Sequence, residues 1–126
     1  MLVTRIAYAH GEAEGVADDG VRRFLSLPYA APLTQERRFR EPQPVEPWTG
    51  VRDATQPGPS APQPVPPEAE IDLSSLMAPR VPDGPDYLTL NVFTPEGDPK
   101  DRPVMVFIHG GSFITGSKDV PIYDGT

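Results

Sequence analysis

Cysteine is absent from this 126-residue chain. Its absence excludes a disulfide, a thiolate metal site and a cysteine nucleophile, and it favours a reducing compartment. Histidine is nearly absent as well, with only His10 and His109, which leaves few side chains suited to proton transfer near neutral pH. Basic residues are in the minority: 11 Lys and Arg stand against 18 Asp and Glu, a net charge of -7. A nucleic-acid partner is excluded, because phosphate binding needs a basic face. No apolar run approaches the roughly 20 residues of a membrane-spanning helix. The start, Met1-Leu2-Val3-Thr4-Arg5-Ile6, lacks the apolar stretch of a secretory leader. No spacing of Asp, Glu and His suggests a metal site, and no cofactor is expected. The resulting expectation is a cytoplasmic protein with neither a membrane nor a nucleic acid as partner.

Proline and glycine are abundant. The 18 prolines and 11 glycines come close to the Pro and Gly content of about 25–30% that marks low complexity. Proline is absent before Pro28 and dense from Pro28 to Pro103, so an irregular middle is expected between a structured beginning and end.

The beginning reads as β. Val3 to Ala9 alternates, His10-Gly11 signals a turn, and Gly11 to Val16 is a weaker second strand. Asp18-Asp19-Gly20 is a hairpin turn, because Asp and Gly tolerate positive φ. Val21 to Leu27 makes a third strand, ended by Pro28. From Pro28 to Pro67 the prolines remove donors and block regular helix. Tyr29, Phe39 and Trp48 punctuate this loop and call for burial, so an ordered coil wrapping a larger body is expected. Glu68 to Met77 is helix-like, Tyr87 to Phe93 alternates as a strand, and Pro95 to Lys100 turns the chain.

Val104-Met105-Val106-Phe107-Ile108 is a short apolar run that stops at His109-Gly110-Gly111-Ser112. It predicts a buried strand, paired antiparallel with Tyr87 to Phe93, that opens into a glycine turn. Glycines there let the backbone approach a bound group closely, and consecutive free N–H groups can hold a negative oxygen. Lipases and esterases carry an oxyanion hole of the His-Gly-Gly-Gly kind in this context. His109 is expected to orient the turn rather than to move a proton, and His10 to be exposed.

Six phrases in order carry a resemblance. They are Arg23 to Ala30, Arg38-Phe39-Arg40, Pro47-Trp48-Thr49-Gly50, Asp86 to Val92, His109 to Phe113, and Tyr123-Asp124-Gly125. Together they resemble the N-terminal part of the type-B carboxylesterases, the family of the bacterial nitrobenzyl esterase-like enzymes and the cholinesterases. The resemblance implies the α/β class: an N-terminal fragment of an α/β-hydrolase fold, itself mostly short β-strands and Pro-rich coil. Residues 1–126 would be the N-terminal part of one carboxylesterase domain. A small antiparallel sheet would occupy 2–27, a Pro-rich wrapping loop 28–84, and the first strands of the main sheet with the oxyanion turn 85–126. Gly111 and Ser112 would supply oxyanion N–H donors, with Gly110 permitting the turn. The partner would be a small-molecule ester in the complete enzyme.

Departures from the family pattern are specific. Tyr87 stands in place of a cysteine that forms a disulfide in secreted members. Pro85 stands in place of the glutamate that pairs with the arginine at Arg38, so either Asp83 or Asp86 substitutes or this corner is looser. Ser26 and Ser112 stand where glycine is usual. No serine has glycine at both -2 and +2, so the nucleophile elbow Gly-x-Ser-x-Gly is missing. The resemblance places nucleophile, acid and base beyond the position of Thr126. The leading expectation is therefore the N-terminal piece of a serine carboxylic-ester hydrolase, inactive and poorly folded alone. It would need the remainder of the hydrolase domain to cover its apolar strands. The alternative is a non-catalytic esterase-like binding module or a decayed gene product, against which the intact glycine turn counts.

Overall fold

The computed structural model describes residues 2–64, 84–97 and 100–126. Five strands make one sheet: β1 (Leu2–Tyr8), β2 (Gly11–Asp18), β3 (Val21–Pro28), β4 (Val51–Asp53) and β5 (Thr89–Pro95). The spatial order is β1-β2-β3-β5, with β4 pairing β2. The helix-like stretch Glu68 to Met77 lies outside the described residues.

Local turn chemistry builds the first three strands. In the β2–β3 hairpin, Asp18 faces Val21 across a two-residue loop. Asp19 and Gly20 occupy that loop at φ 49° and 78°, the pair of positive values that a mirror-image hairpin turn demands. β1 pairs antiparallel with the whole of β2, from Leu2 opposite Ala17 to Tyr8 opposite Gly11. The other edge of β2 is shared: Val16 to Asp18 pair with β3, while Glu12 to Glu14 pair parallel with β4. Ala54 joins the two halves of that edge. Its N–H donates to the Glu14 carbonyl at 2.7 Å, and its own carbonyl accepts from the Leu25 N–H at 2.8 Å.

β3 is bulged where it meets β5. Phe24 pairs with Val92 and Leu27 with Leu90, so Leu25 and Ser26 together oppose Asn91. Ser26 adopts φ 57°, and its N–H donates to the Asn91 side-chain oxygen at 3.0 Å. The bulge breaks strand alternation and buries four consecutive residues, Phe24 to Leu27. The left-handed φ is one that glycine adopts without cost, so serine is held there against local strain. The core cluster is Ala13, Phe24, Leu27 and Ala54, with Ile6, Tyr8 and Val92 packed against it.

Several expectations need correcting. Val104 to Ile108 form no strand: they run as irregular chain outside the ladders of the sheet, 64–89% exposed. A strand is defined by its partner, and the expected partner, β5, has its described pairing with β3. Arg102 also diverts the chain, with its guanidinium donating to the Pro95 carbonyl at 2.5 Å and the Glu96 carbonyl at 3.0 Å. β5 itself starts at Thr89 rather than Tyr87, because the Thr89 N–H closes a local turn onto the Tyr87 carbonyl at 2.8 Å. β5 also joins the same sheet as β1 to β3 instead of beginning a separate one.

The aromatic anchors of the loop divide. Trp48 is half-buried and donates its indole N–H to the Glu12 carbonyl at 2.9 Å, whereas Tyr29 and Phe39 are exposed. Asp86 pairs with Arg52 at 3.5 Å. Arg38 is exposed, with its guanidinium 5.6 Å from the centre of the Phe39 ring, and Asp83 lies outside the described residues. An exposed arginine keeps its hydration and needs no buried carboxylate as partner.

Candidate functional site

The glycine turn is tightly wound. The Gly111 carbonyl accepts three hydrogen bonds: from the Ile114 and Thr115 N–H groups, each at 3.0 Å, and from the Thr115 hydroxyl at 3.2 Å. Gly111 itself sits at φ 130°, and a Cβ there would overlap the Thr115 carbonyl. Only glycine fits at this position. The next two residues, Ser112 and Phe113, are held at φ 54° and 64°, a conformation that costs L-residues roughly 1–2 kcal/mol each. Adjacent strained residues of this kind gather where a backbone is shaped for a task. Among the described residues, the N–H groups of Gly111 and Ser112 meet no acceptor. A Cβ on Gly110 would meet nothing within 4 Å, so the lack of a side chain there answers no steric demand in this structure.

His109 is exposed, with Nδ1 2.8 Å from the Gly110 carbonyl and its ring stacked 6.5 Å from that of Tyr123. Those contacts fix the entry to the turn. His10 is half-buried rather than exposed, meeting the Tyr8 ring edge-on at 6.0 Å.

Behind the turn lies a polar cluster that the sequence does not announce. Ser60 and Ser117, both buried, share a hydroxyl–hydroxyl bond of 3.0 Å. The Asp119 N–H donates to the Ser117 hydroxyl at 3.2 Å, and Asn91 donates to the Asp119 carboxylate at 2.8 Å. Lys118 neutralises that carboxylate at 2.5 Å. Gln63 grips Gly116 on both sides of its backbone, accepting from its N–H at 2.8 Å and donating to its carbonyl at 3.0 Å. Ser60 reads from sequence as plain loop. Gln63 sits between two prolines with no periodicity to mark it, so no sequence signal points to either.

A cavity of about 360 Å³ lies apart from the turn, lined by Pro32, Arg37, Trp48, Arg52 and Asp86 among others. No group of three or more His, Asp or Glu side chains able to hold a metal occurs among the described residues. No helix among them is long and apolar enough to cross a membrane.

The carboxylesterase family profile matches residues 2–126. The chain belongs to the carboxylesterase family. Among its relatives, phenmedipham hydrolase of Pseudarthrobacter oxydans is 46% identical over 98% of this chain and 25% of its own length. The para-nitrobenzyl esterase of Bacillus subtilis is 41% identical over 93% of this chain and 23% of its own. The acetylcholinesterase of Bungarus fasciatus is 36% identical over 97% and 20%. In three dimensions a PNB esterase superposes with a TM-score of 0.82 at 37% identity, covering 97% of this chain and 24% of that one. The carboxylesterase of Geobacillus stearothermophilus gives 0.80 at 39% identity, covering 98% and 23%. This carboxylesterase chain thus spans about a quarter of the length of the relatives it matches, and it carries the corresponding part of their α/β-hydrolase fold.

Proposed function

We propose that this chain is the N-terminal portion of a serine carboxylic-ester hydrolase and that its glycine turn supplies the oxyanion hole of the complete enzyme. One observation carries the reading: two adjacent N–H groups, on Gly111 and Ser112, meet no acceptor among the described residues, in a turn where Gly111 takes φ 130° and Ser112 is held at φ 54°. Preorganised donors of this kind stabilise negative charge because they need not reorient as it forms.

In the complete enzyme a serine from the remaining three-quarters of the domain attacks the carbonyl carbon of a small-molecule ester. The carbonyl π electrons move onto oxygen, and Gly111 and Ser112 donate to that oxygen. A base from the remaining part of the domain takes the serine proton and returns it to the leaving oxygen, so that collapse of the intermediate expels the alcohol and leaves an acyl-serine, which water then hydrolyses. The reaction takes no cofactor. The exposed run Val104 to Ile108 supports the same reading, because an uncovered apolar strip of this length calls for a covering partner, here the remainder of the hydrolase domain. The lack of cysteine supports a reducing, cytoplasmic setting.

The test has two stages. The purified 126-residue chain is expected to hydrolyse p-nitrophenyl acetate no faster than a heat-treated control. Joined to the rest of the Bacillus subtilis para-nitrobenzyl esterase, it is expected to give activity, and Gly111→Ala to lower kcat by about 10²–10³. A folded, joined enzyme that is inactive, or one indifferent to Gly111→Ala, overturns the assignment.

A further inference from the structure

The polar cluster behind the turn converges on one side chain. Gln63 accepts the Gly116 N–H at 2.8 Å and donates to the Gly116 carbonyl at 3.0 Å, across 53 positions of sequence. A side-chain amide that closes two bonds onto one residue holds the peptide units on both sides of it, which a single bond does not do. Gly116 in turn lies against the start of the turn: a Cβ on it would overlap the Gly110 carbonyl and come within 2.8 Å of the His109 ring. Any displacement of Gly116 is therefore passed by contact to His109 and Gly110. The turn's own bonds from Ile114 and Thr115 to the Gly111 carbonyl close the loop around Gly111 and Ser112.

We propose that Gln63 is a positioning residue for the turn, acting through Gly116 to hold the Gly111 and Ser112 N–H groups in place. The proposal rests on the oxyanion reading for its purpose, though not for its geometry. Ser60 and Ser117 flank the clamp with their shared bond and keep the two segments from sliding. Gln63 sits between Pro62 and Pro64, which lack N–H groups, so its side-chain amide adds a donor that the residues on either side cannot give.

The test is amide hydrogen exchange and ¹⁵N–¹H correlation NMR on the full 126-residue chain. Two variants divide the clamp: Gln63→Met removes both bonds with little change in volume, and Gln63→Glu keeps only the acceptor for the Gly116 N–H. In Gln63→Met the Gly116 amide is expected to exchange about five- to tenfold faster, and the Gly111 and Ser112 amide resonances to move. In Gln63→Glu the Gly116 amide is expected to stay protected. The Leu25 amide, bonded to Ala54 in the sheet at 2.8 Å, serves as the control and should be unaffected in both.

The proposal is overturned by any of four outcomes: a Gly116 amide unprotected in the unsubstituted chain, one indifferent to Gln63→Met, one equally exposed in both variants, or Gly111 and Ser112 resonances that do not move. General loss of protection, Leu25 included, also overturns it, since Gln63 would then be a folding residue. Exchange at Gly116 tests the clamp whatever the turn binds. Activity of the joined enzyme tests the oxyanion reading, so the two fail separately.

Discussion

The indole of Trp48 rests on Gly11, its nitrogen 2.7 Å from where a Cβ on residue 11 would stand. Two hydrogen bonds hold the ring there: the Trp48 N–H to the His10 carbonyl at 2.9 Å and the indole N–H to the Glu12 carbonyl at 2.9 Å. The wrapping loop is thus pinned to the start of β2. Gly11→Ala meets both the indole and a φ of 145°, and is expected to destabilise the sheet by about 2–3 kcal/mol. Hydrogen exchange of the β1 and β2 amides measures this, and unchanged protection would contradict it.

Ser26 offers the opposite case. It holds φ 57° without being glycine, and its hydroxyl is buried with no partner among the described residues. Ser26→Gly relieves roughly 1–2 kcal/mol of left-handed strain and removes an unsatisfied polar group, against about 0.5–1 kcal/mol of added chain entropy in the unfolded state. A net stabilisation of about 1 kcal/mol is expected, read from exchange protection of Leu25 and Leu27. A destabilised variant would show that the serine is needed.

Among the described residues, Tyr8 and Asp53 tie the stability of the sheet to pH. Burial pushes the Tyr8 phenol above its ordinary value, with Arg52 pulling the other way. The stabilisation of the neutral phenol is complete below the usual tyrosine pKa and is lost as pH rises through the raised one. The Asp53 carboxyl is held below its ordinary range by the Thr55 hydroxyl and then by the Thr55 N–H, at 2.7 and 2.8 Å. Its contribution is present above the ordinary carboxylate pKa and is lost as pH falls through the lowered one. Tyr8→Phe is expected to flatten the alkaline limb of a stability profile, and Thr55→Val to flatten part of the acid limb. Limbs of unchanged slope would refute both.

The uncovered run Val104 to Ile108 has a direct consequence for the separate chain. Apolar extended segments without partners associate with one another. Val106→Lys, at a residue 79% exposed, is expected to reduce self-association in light scattering while leaving the exchange protection of β1 to β3 unchanged. Equal association in both chains would place the sticky surface elsewhere.

The parts legible in the sequence are those decided by neighbouring residues. Asp19-Gly20 specifies its hairpin because loop length and φ tolerance are local properties, and strands β1 to β3 follow from the turns that bound them. Six phrases in order specify the family, since each carries a residue type that the fold uses in one way. The glycine turn was legible for the same reason.

The tertiary structure alone decided the rest. Val104 to Ile108 has the composition of a strand, yet a strand exists only where another edge accepts its hydrogen bonds, and the described chain offers it none. Arg38, Tyr29 and Phe39 are exposed because burial depends on what lies opposite. The clamp of Gln63 on Gly116 spans 53 positions, a distance over which sequence carries no geometric information. Turn chemistry determined the first three strands, and six phrases in order carried the resemblance to the family. Contacts between distant segments determined how the turn is held, because a hydrogen bond requires both partners to arrive at the same place.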